Sequence, residues 1–152
     1  MDSLAPPRLA AALSVDQRDR LMRCARPVDF PEGTRLFEEG GPAQRFWVLR
    51  TGTVTLDVRV PGRRPAVIDT VNAGELLGWS WLFAPYRWHF GAEAMTRVRA
   101  YEFDAVTVRM MMDADPGLGS ALGHLVGQML AGRLVSARTR LLDLYAPHGS
   151  GL

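Results

Sequence analysis

Between Val28 and Gly74 the chain is broken by glycine or proline every few residues, at Pro31, Gly33, Gly40, Gly41, Pro42, Gly52, Pro61, Gly62 and Gly74. Short segments between such breaks, with apolar residues recurring at every second position, point to antiparallel strands in a sandwich or barrel. Thr53 to Val60 is the clearest: Val54, Leu56, Val58 and Val60 alternate with Thr53, Thr55, Asp57 and Arg59. That is the pattern of a half-buried strand, and it puts Asp57 on the outer face. Pro61-Gly62 turns the chain into a second strand over Ala66 to Val71. Phe46 to Leu49 is apolar at every position, which predicts cover on both faces. Val98 to Phe103 reads as the last strand.

On either side of this region the period is helical. Pro6 and Pro7 make 2–13 a loose arm entering a short helix at Leu9 to Leu13. Ser14 and Gln17 then form a capping-box pattern, in which each side chain satisfies a free backbone N–H at a helix start. Val15, Leu21, Met22 and Ala25 supply an apolar face, so a helix is predicted over 15–25, ended by Pro27. Asp115 is a helix cap with Pro116 at the first helical position. From there the helical period runs to Tyr145, with Leu122, Val126, Leu130, Leu134, Ala137, Leu141 and Leu144 in one stripe. Gly119, Gly123, Gly127 and Ala131 form a second stripe, although each glycine costs a helix interior about 1 kcal/mol against alanine. Close approach of another backbone, from the strands or from the same helix of a second subunit, would offset that cost.

The resulting fold class is mainly β with flanking α: an antiparallel, jelly-roll-like β-roll with an N-terminal helix and a long C-terminal helix. The 152 residues fit one domain, divided into an arm and helix (1–27), the roll (28–104), C-terminal helices (105–145) and a tail (146–152). An apolar content of 47% with 22% charged residues suits a soluble globule. All 18 basic residues are arginine, scattered along the chain, and the formal charge is only +2, so no cationic run marks a nucleic-acid surface. The lone Cys24 reads as a small buried hydrophobe. His89, His124 and His148 stand far apart with no ligand spacing, so no metal is expected. No export signal is visible, and the expected location is the cytoplasm.

Leu76 to Phe90 holds three of the four tryptophans, together with Arg87 and His89. It is too short and too broken to span a bilayer, which takes roughly 20 apolar residues. Large rigid rings beside a guanidinium and an imidazole suit a site that stacks a flat ligand and holds an anion. Core packing is the alternative use of the same rings.

The order of parts resembles a known family. Phe30-Pro31-Glu32-Gly33-Thr34 through Gly40-Gly41-Pro42-Ala43, then Phe46-Trp47-Val48-Leu49 and Thr51-Gly52-Thr53-Val54, are similar to the cyclic-nucleotide-binding domain of the catabolite-activator and Fnr-like regulators. Ala73-Gly74-Glu75, Asp115-Pro116 and Met129 to Leu134 extend the resemblance over roughly 14–144. It implies that the tryptophan-rich stretch is the phosphate-binding cassette. In that family the cassette has a Gly-Glu pair, whose carboxylate accepts from the ribose 2′-hydroxyl, and an Arg followed by a small residue that hold the cyclic phosphate. Here Gly78 is in place, but Trp79 stands where the Glu belongs, and an indole accepts no hydrogen bond. Arg87 or Trp88 falls at the phosphate position, depending on a one-residue shift.

The ligand residues implied are Gly78, Trp79, Ser80, Trp81, Arg87, Trp88 and His89, and the dimer helix is implied at Gly119, Gly123, Gly127 and Ala131. Three functions follow. The first is a homodimeric sensor for a ligand other than cyclic AMP, a nucleotide or another small anionic molecule. The second is the same sensor with weak cyclic nucleotide binding through Arg87. The third is a scaffold or accessory module for a protein partner, its pocket filled by aromatic side chains. The DNA-binding members of the family add a helix-turn-helix after the long helix, and only 146–152 follow Tyr145 here, so no DNA binding is expected. No catalytic residues, cofactor or membrane contact are expected either: His89 is followed by Phe90 and Gly91, not by the His-x-His of a cupin metal site.

Overall fold

The structure is a computed structural model and describes residues 8–145. The tail at 146–152 and the start of the arm at 1–7 lie outside the described residues. The first helices are α1 (Leu9–Ala12) and α2 (Val15–Met22). Both halves of the expected capping box form at α2: the Gln17 N–H donates to Ser14 Oγ at 3.2 Å, and the Ser14 N–H donates to Gln17 Oε1 at 2.9 Å.

The helix ends at Met22, earlier than the 15–25 expected. Cys24 and Ala25 form a tight turn, their N–H groups donating to the carbonyls of Leu21 and Met22. Pro27 then sits inside the first strand, β1 (Arg26–Phe30), where the sequence suggested only a helix stop. β1 pairs on one side alone, with the last strand, and such an edge position tolerates a residue without an N–H. Cys24 is only half-buried, its Sγ 3.4 Å from Met111 Sδ.

The remaining strands are β2 (Arg35–Phe37), β3 (Arg45–Thr51), β4 (Val54–Val58), β5 (Ala66–Val71), β6 (Leu76–Leu77), β7 (Gly91–Ala94) and β8 (Val98–Asp104). Among the described residues these make two four-stranded antiparallel sheets, in the orders β1-β8-β3-β6 and β2-β7-β4-β5. Phe46, Trp47, Val48 and Leu49 in β3 are all buried, as their unbroken apolar run predicts. β4 keeps its alternation against β7, where Thr55 faces Glu93, Leu56 faces Ala92 and Asp57 faces Gly91, and Asp57 is buried on the outer face by a covering side chain. A buried carboxylate needs a partner, and Arg35 supplies one: its Nη1 and Nη2 donate to Asp57 Oδ2 and Oδ1 at 2.6 and 3.1 Å.

β8 leads into α3 (Ala105–Ala114), capped by Asp104, which accepts from the Thr107 N–H at 2.9 Å. Asp115 ends α3 and caps α4 (Pro116–Tyr145), accepting from the N–H groups of Gly117 and Leu118 at 3.1 and 3.3 Å. The first half of α4 is core: Leu118, Leu122, Leu125, Val126 and Met129 are buried. Its second half is not, and Leu134, Leu141 and Leu144 of the expected apolar stripe are exposed. The small-residue stripe also divides. A Cβ on Gly119 would lie 3.0 Å from the Met112 carbonyl oxygen of α3, whereas a Cβ on Gly123 or Gly127 would meet nothing within 4 Å. Gly119 thus serves the crossing of α3 and α4, a contact the sequence did not suggest.

The two caps carry a pH dependence. Hydrogen bonds from the Thr107 backbone and hydroxyl hold the Asp104 carboxyl below its ordinary range. The Leu118 backbone N–H and then Arg20 do the same for Asp115. Groups whose folded pKa is depressed contribute stability above their unfolded pKa and lose it as pH falls through the folded one. Urea midpoints are therefore expected to be flat above about pH 5 and to fall below about pH 4. Asp115→Asn, which keeps an acceptor but no titrating charge, is expected to show a shallower fall. An identical acid profile in that variant would remove Asp115 from the account.

Candidate functional site

β6 pairs with β3 in one sheet, through Trp47↔Leu77 and Val48↔Leu76, whereas β7 pairs with β2 and β4 in the other. The intervening stretch, 78–90, is the tryptophan-rich cassette, and it crosses from sheet to sheet. Gly78 opens it at φ +100°, a left-handed conformation that glycine adopts without penalty. A 3-10 turn follows at Ser80–Leu82.

The rings of the cassette have different surroundings. Trp81 is fully buried, stacked on Phe46 with centroids 4.0 Å apart, and Phe46 stacks in turn on Phe103. Its Nε1–H donates to the Gly78 carbonyl at 2.9 Å. Trp88 is buried as well, stacked on Phe37 at 3.7 Å. Trp79 is half-buried, lying flat against His89 at 4.5 Å and tilted toward Phe90 at 6.3 Å. Ser80 is fully buried and its hydroxyl is hydrogen-bonded to His89 Nδ1 at 3.0 Å, while the rest of His89 faces outward.

Arg87 is exposed, and the backbone explains why. The segment at 86–88 pairs with the loop at 40–43: the Ala43 N–H donates to the Tyr86 carbonyl, Pro42 bridges Arg87, and Trp88 exchanges hydrogen bonds with Gly40 and Gly41. Neighbouring side chains of extended backbone point to opposite sides. With Trp88 inward, Arg87 is outward, and among the described residues its guanidinium makes a 3.4 Å contact to the Gly40 carbonyl. Arg109 of α3 holds the cassette from behind. Its Nη1 donates to the Trp81 carbonyl at 2.6 Å, and its guanidinium lies 4.0 Å from the centroid of the Tyr86 ring.

A groove of about 510 Å³ opens between the cassette, the β4–β5 hairpin and the second half of α4. Leu56, Ile68, Trp79 and Phe90 form the wall on the roll side, and Leu130, Leu134, Ala137 and Leu141 the wall on the helix side. Its size lies within the range of small-molecule sites, about 300 to 1,000 Å³. Of the seven cassette residues expected at a ligand, Trp79 borders the groove. Gly78, Ser80, Trp81 and Trp88 are packed in the interior, and Arg87 and His89 point outward. Three charged residues that the sequence did not single out complete the rim: Asp69 on β5, and Arg133 and Arg140 two helical turns apart on one face of α4. Arg133 makes a salt bridge to Asp69, and Arg140 Nη2 stands 3.9 Å from the same carboxylate. The arginines share the face of Leu130 and Ala137, a spacing visible in the sequence. Their partner on β5 was not visible, because the contact joins residues more than sixty positions apart.

Chemically the groove offers an apolar space between ring and helix with charge at its rim. Among the described residues no group of three or more His, Cys, Asp or Glu is placed to hold a metal ion, and no helix is long and apolar enough to cross a membrane.

Two four-stranded antiparallel sheets joined by a sheet-crossing cassette, with the long helix α4 facing the cassette across an open groove, define a β-roll with flanking helices. The sequence model of the cyclic nucleotide-binding domain matches residues 27–115, and the chain belongs to that family. It is 29% identical over 124 residues to the CRP-like cAMP-activated global transcriptional regulator of Mycobacterium tuberculosis. That match covers 82% of this chain and 54% of the regulator, so the chain spans about half the length of the curated relatives it matches. The N-terminal domain of a transcriptional regulator from Streptomyces coelicolor A3(2) superposes with a TM-score of 0.69 at 28% identity, covering 86% of this chain and 94% of that one. A cyclic nucleotide-binding domain from Methylobacillus flagellatus KT shares the fold with a TM-score of 0.79 at 18% identity, over 93% and 80% of the two chains.

Proposed function

We propose that this chain is a regulatory sensor domain that binds a small molecule other than cyclic AMP in the groove between Trp79 and α4. One observation carries the reading: the open space touches the cassette on one side and the long helix on the other. A ligand seated there contacts two elements at once, and a difference in its affinity for two positions of α4 suffices to bias them. The same helix supplies the proposed homodimer contact. Gly127 and Ala131 are exposed, and Val135, Leu142 and Tyr145 continue an uncovered surface toward the end of α4. A monomer mass by light scattering at tens of micromolar would count against the dimer.

Cyclic AMP is expected to give no saturable heat in calorimetry up to millimolar ligand. Trp79 offers the ribose no acceptor, and Asp69 is engaged by Arg133. Micromolar binding that is lost in Arg87→Ala would revive the weak-nucleotide reading. A second reading, an interaction module for a protein partner, is favoured by the burial of Trp81 and Trp88, which fill the roll. The fluorescent probe 1-anilinonaphthalene-8-sulfonate separates the two. The sensor reading expects saturable binding, weakened at least about fivefold by Ala137→Trp, which plugs the groove; such a loss is about 1 kcal/mol. Unchanged binding in that variant would leave the interaction module as the better account.

A further inference from the structure

The charges at the rim of the groove, together with its apolar walls, narrow the class of ligand, given the reading that the groove is the ligand site. Arg133 and Asp69 neutralise one another in a salt bridge between two largely buried side chains, at 22% and 26% exposure. Arg140 is different. Its guanidinium is 51% exposed, and its 3.9 Å approach to Asp69 is too long for a hydrogen bond. The groove therefore holds one cation whose donors are available beside a pair already satisfied. That balance suits a single negative charge.

The body of the ligand is set by the walls. Leu56, Ile68, Phe90, Leu134 and Leu141 present no hydrogen-bonding atoms, and the Trp79 indole carries a single donor. A purine and ribose there would leave several polar atoms without partners, which disfavours any nucleotide. Along α4 the lining runs from Leu130 to Leu144, about 21 Å of helix at 1.5 Å per residue. The space is long and narrow in chemistry: hydrocarbon throughout, with charge at one edge. We propose that the groove takes an elongated amphipathic monocarboxylate of the fatty-acid type, its chain lying on Trp79 and Phe90 and its carboxylate on Arg140. A guanidinium fork matches a carboxylate in shape as well as charge.

Decanoate, its neutral counterpart decan-1-ol and cyclic AMP test this on the full chain, read by tryptophan emission with Trp79→Phe as the control for signal origin. Decanoate is expected to shift the emission saturably and to bind about tenfold more tightly than decan-1-ol, the effect of one charge-assisted contact at a half-exposed site. Arg140→Ala is expected to bring the two ligands to equal affinity with the alcohol unaffected, and the substitution lies on an exposed helix surface where folding is not at stake. Equal binding of acid and alcohol by the unaltered protein would overturn the carboxylate while leaving the groove as the ligand site. No shift with either ligand would remove the groove reading and this inference together. Light scattering in parallel covers the other occupant: if the protein is a dimer that Ala137→Trp dissociates while decanoate neither binds nor dissociates it, a second copy's helix fills the groove and the inference fails.

Discussion

Trp81→Ala is expected to lower the stability of the domain by about 3–5 kcal/mol, the range for truncating a large buried aromatic residue. Two contacts are lost and a cavity is left. The indole has no exposed surface and stacks on Phe46, which stacks on Phe103 across β3 and β8. Its Nε1–H satisfies the Gly78 carbonyl, which would be left without that partner. Its removal also leaves a cavity under the 3-10 turn that Arg109 anchors from α3. Urea unfolding followed by far-UV circular dichroism gives the measurement, with Trp79→Ala alongside. Trp79 is half-buried at the groove, so its truncation is expected to cost about 1 kcal/mol and to leave a folded protein. Equal midpoints for the two variants would mean that the cassette is not divided into a packed ring and a groove-facing ring.

Gly78→Ala is expected to be nearly as damaging, by about 2–5 kcal/mol, although it adds one methyl group. The backbone there has φ +100°, which costs an L-residue with a Cβ about 1–2 kcal/mol. The added Cβ would also stand 2.8 and 2.9 Å from the outer edge of the Trp88 ring, an overpacking worth about 1–3 kcal/mol more. The two parts separate in a double-mutant cycle. Trp88→Phe withdraws the outer edge of the indole, so in that background Gly78→Ala is expected to cost the backbone part alone. A cost unchanged by Trp88→Phe would place the whole penalty in the backbone conformation.

Much of the roll was legible because its signals are local. Alternation at Val54 and Leu56, the unbroken run at Phe46 to Leu49 and the caps at Ser14 and Asp115 each depend on neighbours a few residues away. The burial of Asp57 escaped because its cover, the Arg35 guanidinium, comes from β2, twenty-two positions away in the chain, and alternation within β4 alone holds no record of it. The cassette was legible as an aromatic cluster in the right place, yet which rings face inward was not. That is decided by pairing between 40–43 and 86–88, segments far apart in the chain. Arg87 and Trp88 were equal candidates until that pairing set one outward and the other inward. Periodicity likewise drew a single apolar stripe down α4, with no means of marking where the core ends: Leu122 and Val126 are buried, whereas Leu134 and Leu141 are exposed along the groove. The charged rim went unseen for the same reason, since Asp69 and Arg133 meet only in three dimensions.

The contact at Gly119 has a mechanical meaning. Near its start, α4 rests on the backbone of α3 with no side chain between them, while Arg109 bolts α3 to the cassette. α4 stays in the core as far as Met129, and from there to Tyr145 the helix extends about 24 Å. A bend of about 5° at Met129 carries the far end through about 2 Å. The groove lies along this stretch, so under the proposed function the thickness of an occupant sets the position of the tip of the helix.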